Sequence, residues 1–363
     1  MTEVGKAIQE PQNPNGEIHE TRGYCAALLN GETIHKESND ISDFSQLAMS
    51  ASIMWIDFIV GDMDIEPMKI ATTLGFSDVL VKSLMKNLRC GYEDLDNEMG
   101  ILLPAIKVKG FEVKLDPLII LVRQNLLLTM HLSEITRFSR IRRYAETLLK
   151  KFPREMPQKN KLTGMLIRIL DENNSRNFDY LREIEEQGDS MSQELSNPKT
   201  PREILSKQIY QMKHAIIIYL DGLWATVDSL NSLRYGDAAL ISDDTKQLNK
   251  LSGLLGETNA QIGLTEHLSD VLASGLEVLQ SIYNNQLQVL NNRLAFVVAY
   301  LTIIGTALLV PNTIATVASN GMFGFTANDI PAYLGLIVVS TIVATIFSWW
   351  LVRKLGLLPK SPE

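Results

Sequence analysis

The sequence predicts an α+β membrane protein: a cytoplasmic α/β domain, then a long stalk helix continuous with the first of two C-terminal transmembrane helices. Three observations carry this. After Arg293 the 26 residues from Leu294 to Ser319 contain no charge; as a helix they extend about 39 Å at roughly 1.5 Å per residue, beyond the roughly 30 Å hydrocarbon core of a bilayer. A second uncharged run, Ile330 to Val352, follows a ten-residue connection, Asn320 to Asp329. Ahead of both, short apolar runs bounded by turn residues alternate with amphipathic segments, the mark of mixed strands and helices.

The elements follow in order. Residues 1–40 are polar, with Asn-Pro-Asn-Gly at 13–16 as a turn signal, and are expected to be partly disordered or to form short edge strands. The α/β domain covers 41–160. Ile53 to Val60, ended by Gly61-Asp62, is a buried strand; Glu66 to Leu74 and Ser77 to Leu88 are helices. Met99–Val108 and Glu112–Val122 pair around the Lys109-Gly110 turn, Leu126–Met130 is a further strand, and Ser133–Lys151 an amphipathic helix.

A helical stalk region spans 161–293. Lys161 to Glu186 is expected as one helix and Ser190 to Lys199, containing Asn197-Pro198, as a linker. Thr200-Pro201-Arg202-Glu203 has the form of a capping box, with the hydroxyl at the cap and Pro first in the helix. Behind it Ile209, Met212, Ile216, Leu220, Leu223, Val227 and Leu230 form a three-four stripe that must pack along another long helix, and Gly236-Asp237 ends it. The next helix begins at Ser242, with Asp243 and Asp244 suited to its positive end. No strong breaker stops it before the membrane, although Gly253, Gly256, Gly263 and Gly275 each weaken it by up to about 1 kcal/mol. The remaining division is a first span at 294–319, an outer loop at 320–329, a second span at 330–352 and a basic tail at 353–363.

The first span carries polar residues on a seven-residue spacing. Asn292, Ala299, Thr306, Thr313 and Asn320 form one line in a helix supercoiled at 3.5 residues per turn, flanked by Thr302, Val310 and Val317. Leu264, Val271, Val278 and Asn285 continue it down the stalk. Polar groups are costly in lipid, so such a line faces a partner helix or water. Small Thr and Ala residues packing helix against helix are one reading; identical helices from several subunits lining a hydrated pore are the other.

Charge sets the orientation. The net charge is −8; from Leu294 onward it is +1, which leaves −9 on the first 293 residues. No basic face suggests nucleic-acid binding, and an acidic domain below a pore concentrates cations. Arg293 precedes the first span, Arg353 and Lys354 follow the second, and the connection has no Lys or Arg, which places both termini in the cytoplasm of the cell membrane. Trp349 and Trp350 sit at the inner headgroups and Tyr333 at the outer ones. Met1 to Glu20 is too polar for a secretory signal, and two cysteines, Cys25 and Cys90, make neither a disulfide framework nor a metal cluster.

Enzymatic motifs are missing: there is no Walker-type loop, no Gly-x-Ser-x-Gly and no His-Glu-x-x-His. His131 reads as a structural hydrogen-bonder, and His214 and His267 sit on helices without a ligand cluster. No organic cofactor is expected.

The order of these elements resembles the CorA family of divalent-cation channels. Trp55-Ile56-Asp57, Leu74-Gly75-Phe76, Tyr92-Glu93-Asp94 and Asn125 through His131 resemble segments of its cytoplasmic domain; Leu301-Thr302-Ile303-Ile304 and Pro311 with Thr313 resemble its pore helix. The likeness covers about Ser52 to Lys354. It implies a homopentamer embedded in membrane lipid, with a pore lined by the first span and Mg2+ as substrate and as a possible regulator. Asp237, Asp243, Asp244, Glu257 and Asp270 are the candidate sensing carboxylates by this analogy. The family's Gly-Met-Asn at the outer pore mouth is altered: Gly321-Met322 is kept but Phe323 follows, and Asn320 precedes the pair. Asn320, Gly321 and Met322 are the candidate selectivity mouth, with Asn320 in place of the missing Asn or simply in the loop. The same fold carrying Zn2+, Co2+, Ni2+ or a less selective cation flux is the alternative, and a membrane-anchored sensor or scaffold is the reading from another class.

Overall fold

The computed structural model describes residues 21–86, 90–195, 201–236, 238–320 and 329–354. By its contacts the chain divides into two units, 1–273 and 274–363.

The first unit is built on a seven-stranded sheet in the order β2-β1-β3-β7-β6-β5-β4. The strands are β1 (Gly23–Leu29), β2 (Glu32–Ser38), β3 (Ile53–Val60), β4 (Gly91–Asp94), β5 (Glu98–Lys109), β6 (Glu112–Arg123) and β7 (Leu126–Leu132). All neighbours are antiparallel except β3 and β7. One face is covered by a 3-10 turn (Ile41–Phe44), α1 (Ser45–Ser50), α2 (Glu66–Thr73) and α3 (Asp78–Met85), closing a core that includes Phe44, Met54, Ile56, Leu80, Leu84 and Met130. The other carries α4 (Phe138–Lys150), α5 (Gln158–Asn174), α6 (Asn177–Leu195) and α7 (Arg202–Tyr235). With both faces covered, central strands bury nearly every side chain, which is why β3 reads as a continuous apolar run.

The N-terminal segment departs from expectation. β1 is buried and central, and only β2 forms an edge; they are joined by Asn30-Gly31, both at positive φ, the backbone a two-residue hairpin demands. Asn-Pro-Asn-Gly at 13–16 lies outside the described residues. The expected strands β3, β5, β6 and β7 are present, and the helix expected from Ser133 starts at Phe138 after a turn. Leu88 lies outside the described residues.

β4 pairs with β5 only over Met99–Leu102, so the outer edge of β5 beyond it is open. Asn173 Nδ2 closes it by donating to the Pro104 carbonyl at 3.1 Å, and the Arg137 guanidinium donates to the Ile106 carbonyl. Both remove strand-edge groups that invite pairing.

The expected single helix at 161–186 is two helices, α5 and α6, broken at Ser175-Arg176, where the Ser175 hydroxyl turns back to the Glu172 carbonyl at 3.0 Å. α6 continues to Leu195, through the first half of the expected linker. Pro201, not Thr200, caps α7, and no side chain bonds the cap; Thr200 lies outside the described residues. The α7 stripe, buried except for half-buried Leu220, packs on β5, β6 and helix α6, and Arg234 Nε near the end of α7 donates to Ser252 Oγ on the next helix at 3.0 Å. At Gly222 a Cβ would fall 2.7 Å from the Leu115 side chain and 3.1 Å from that of Ile106, so a larger residue would push both aside where α7 closes on the sheet.

Asp57 on β3 is fully buried among Thr129 and His131 on β7 and Arg142 on α4. Arg142 Nε lies 2.7 Å from Asp57 Oδ2, the Thr129 hydroxyl donates to Oδ1, and His131 Nε2 lies 3.2 Å from Oδ1, off the line of a hydrogen bond. Burial works to raise the Asp57 pKa; His131, Arg142 and Thr129 outweigh it and hold the carboxyl at about 2. His131 is thus the structural partner its position suggested. Cys25 is buried, and burial pushes its thiol up to about 11, an inert form.

α8 (Thr245–Ala318) is one helix of 74 residues. Asp244 caps it through the Lys246 N–H at 2.8 Å, two residues after the expected start at Ser242. Within the first unit it buries a three-four stripe that includes Leu251, Leu254, Leu255, Thr258, Gln261, Ile262 and Thr265. Two amides hold it there: Asn174 Nδ2 reaches Thr258 Oγ1 at 3.3 Å and Asn177 Nδ2 reaches Gln261 Oε1 at 3.3 Å.

Candidate functional site: the first apolar helix

In the second unit, α8 from Ser274 onward meets α9 (Ile330–Lys354). Both are long and apolar enough to cross a membrane, with a mean hydropathy of 2.2 over their best windows. Their large apolar side chains point outward: Val298 is 61% exposed, Leu308 67% and Ile346 61%. The residues withdrawn from solvent are mostly small, Ala299, Pro311, Ala344 and Ser348, with Val352, as close packing of helices in lipid requires. Tyr333, expected at the outer headgroups, donates its hydroxyl to the Ala315 carbonyl at 3.0 Å.

The seven-residue line falls on a surface left open by this pairing. Asn292, Thr302, Val310, Thr313, Val317 and Asn320 are exposed and Thr306 is half-buried. Ala299 differs: only 5% of it is exposed, so the helix pair itself takes up this position. Further down, Leu264, Val271 and Val278 are each at least half exposed, although apolar.

Thr302, Thr306 and Thr313 each donate their hydroxyl proton to the carbonyl four residues back, all at 2.8 Å. Their oxygens keep lone pairs to accept from outside. The row therefore offers acceptors and no net charge, a surface suited to a water shell whose hydrogens point outward. Pro311 lacks the N–H that would bond the Ala307 carbonyl. α8 stops at Ala318; Asn320 lies just beyond, in a closing turn where its N–H bonds the Val317 carbonyl at 3.2 Å. Gly321 and Met322 lie outside the described residues, as does Asp237.

Of the other carboxylates named for sensing, Asp243 and Asp244 precede α8 and Glu257 and Asp270 lie on it. Asp243 lies 3.4 Å from Lys159, and Asp244 is occupied as the helix cap and accepts from Asn160 at 2.9 Å. Glu257 and Asp270 are exposed. Among the described residues, no three His, Cys, Asp or Glu side chains of one protomer meet to hold a metal. The amide clasp on α8 escaped the sequence reading; its signal is the polar run Asn173-Asn174-Ser175-Arg176-Asn177 inside a helical segment.

A buried sheet domain, one helix running from it into an uncharged stretch, and a second apolar helix are now in view. Residues 50–354 match the family described as CorA-like Mg2+ transporter protein. The chain belongs to that family. Its members are transporters rather than enzymes, and this CorA-like chain is a membrane protein of the divalent-cation class. The complete CorA magnesium transporter of Methanocaldococcus jannaschii is similar at 19% identity over 93% of this chain and 98% of its own, with a TM-score of 0.66. The soluble domain of that CorA matches 71% of this chain and 96% of its own at 18% identity and a TM-score of 0.55. Full-length CmaX matches 94% and 100% at 15% identity and a TM-score of 0.53. These likenesses establish the fold. No curated protein matches the sequence significantly.

Proposed function

We propose that copies of this chain assemble as a homopentamer in the cell membrane and pass hydrated divalent cations, Mg2+ foremost, along the axis between their first apolar helices. The observation that carries this reading is the row of Thr302, Thr306 and Thr313 oxygens, whose protons are spent within the helix and whose lone pairs are left to accept from water. Mg2+ dehydrates reluctantly, so a path of neutral acceptors suits the hydrated ion better than a cage of carboxylates. Exposed Leu264, Val271 and Val278 on the same line give neighbouring copies an apolar seam below the membrane. Asn320 supplies the amide ring at the outer mouth, next to Gly321 and Met322. Both termini lie in the cytoplasm, and the domain gates the pore through α8, with Asp237, Asp243, Asp244, Glu257 and Asp270 as carboxylates that sense the ion between copies.

Flux into liposomes tests this, with Mg2+ set against Zn2+, Co2+ and Ni2+. Mg2+ should compete best, and Thr313→Ala and Asn320→Ala should each change rate or selectivity. Flux unaltered in both variants removes the line from the pore; preference for Zn2+, Co2+ or Ni2+ reassigns the cargo; no flux of any ion supports a sensor or scaffold.

A further inference from the structure

A cavity of about 240 Å³ lies between β5, β6 and the start of α6, room for about eight waters at roughly 30 Å³ each. On one wall, Arg137 is 6% exposed; its Nη1 donates to the Asn173 carbonyl and to Asn173 Oδ1 at 3.2 Å and its Nη2 to the Ile106 carbonyl, which leaves two of its five N–H groups. Among the described residues no carboxylate comes within ion-pair distance of it. Arg176, exposed at the rim, adds a second guanidinium. The ring of Tyr180 lies 6.0 Å from the Arg137 guanidinium carbon. Asp116 also lines the cavity, with a buried Oδ2 that has no hydrogen-bond partner. Lys107 and Glu134 neutralise each other at 3.1 Å.

Among the described residues, the lining thus holds two guanidinium groups with no carboxylate at ion-pair distance and one carboxylate oxygen with no hydrogen bond, which Lys107, Lys114 and Arg137 attract only at longer range. A simple anion would satisfy the first and be repelled by the second; a metal cation would meet the reverse. A molecule with a carboxylate for the arginines and an ammonium for Asp116 satisfies both. We propose that this cavity binds a small zwitterion of the free amino acid class, and that its occupancy acts on α8. Arg176 sits in the break between α5 and α6, flanked by Asn174 and Asn177, the two amides that hold α8. The binding step stands alone; the action on α8 rests on the transport reading above.

The full-length protein in detergent is titrated calorimetrically with free glycine and L-alanine, and in parallel with acetate, inorganic phosphate and ethylammonium. The two amino acids should bind, with the singly charged probes at least tenfold weaker. Arg176→Gln and Asp116→Asn should each weaken glycine binding at least tenfold, with the thermal midpoint of the unliganded protein unchanged for the exposed Arg176 site. No binding of either amino acid, equal binding of acetate or phosphate, or unchanged binding in both variants overturns the site. In liposomes, glycine on the domain side should shift Mg2+ flux in the parent protein and not in Arg176→Gln. Binding without that shift removes the coupling, whereas absence of all flux strikes the transport reading and leaves the calorimetric result standing.

Discussion

The central strands of the sheet domain and the apolar helix satisfy threonine hydroxyls in different ways, although helical threonines of the first unit, such as Thr258 and Thr265, also bond within their own helix. In the sheet domain, Thr129 is fully buried, accepts from Trp55 Nε1 at 3.2 Å and donates to Asp57, so its hydroxyl ties two strands together. In the apolar helix, Thr302, Thr306 and Thr313 donate only to their own helix. The first hydroxyl is structural because its partners are distant in sequence. The others contribute little to the fold and so remain available for function.

The largest expected effect is at Asp57. Asp57→Ala leaves Arg142 without its buried counter-charge and should destabilise the full-length protein by about 3–5 kcal/mol in chemical denaturation; a loss below about 1 kcal/mol would show the network to be incidental. The pH dependence follows. An unfolded Asp takes up its proton near pH 3.9, whereas folded Asp57 holds its charge down to about 2. Its contribution is complete above about pH 5 and is lost progressively as pH falls through about 2. Asp57→Asn should flatten that part of the stability curve.

Next in size, Thr129→Val strands the Trp55 N–H in the core and should cost about 1–3 kcal/mol. Asn177→Ala, which releases Gln261, should cost about 1–2 kcal/mol and increase hydrogen exchange in α8 around Thr258; unchanged exchange there would break the clasp assignment. The smallest stability effect belongs to the apolar helix. Thr306→Val or Thr313→Val should change the detergent-state stability by less than about 0.5 kcal/mol while lowering cation flux. A destabilisation as large as that of Thr129→Val would erase the contrast.

The sequence was most legible where one-dimensional pattern suffices. Uncharged runs revealed both apolar helices, and the Lys109-Gly110 turn revealed β5 and β6 on either side of it. The β1–β2 hairpin was hidden because its polar neighbours dominate the average over residues 1–40, although Asn30-Gly31 carries the turn. The α5–α6 break has neither Gly nor Pro to announce it; side chains of Asn174, Ser175 and Asn177 make it by bonding elsewhere. Of the candidate site, the Thr line was readable from spacing, but the burial of Ala299 depends on α9. The partners of Asp57 and the charges around Asp116 come from elements far apart in the chain, which no local pattern displays.

The seating of α8 on amide and hydroxyl groups has a consequence for how it turns. Apolar stripes tolerate a few degrees of roll, but hydrogen bonds are directional. Rolling α8 by one residue position, about 100°, would bring Asn259 and Ile262 toward the places of Thr258 and Gln261 and leave an amide facing an aliphatic chain. Asn174 and Asn177 therefore act as teeth that index the rotational phase of the helix, and its settings come as discrete steps rather than a continuous swivel.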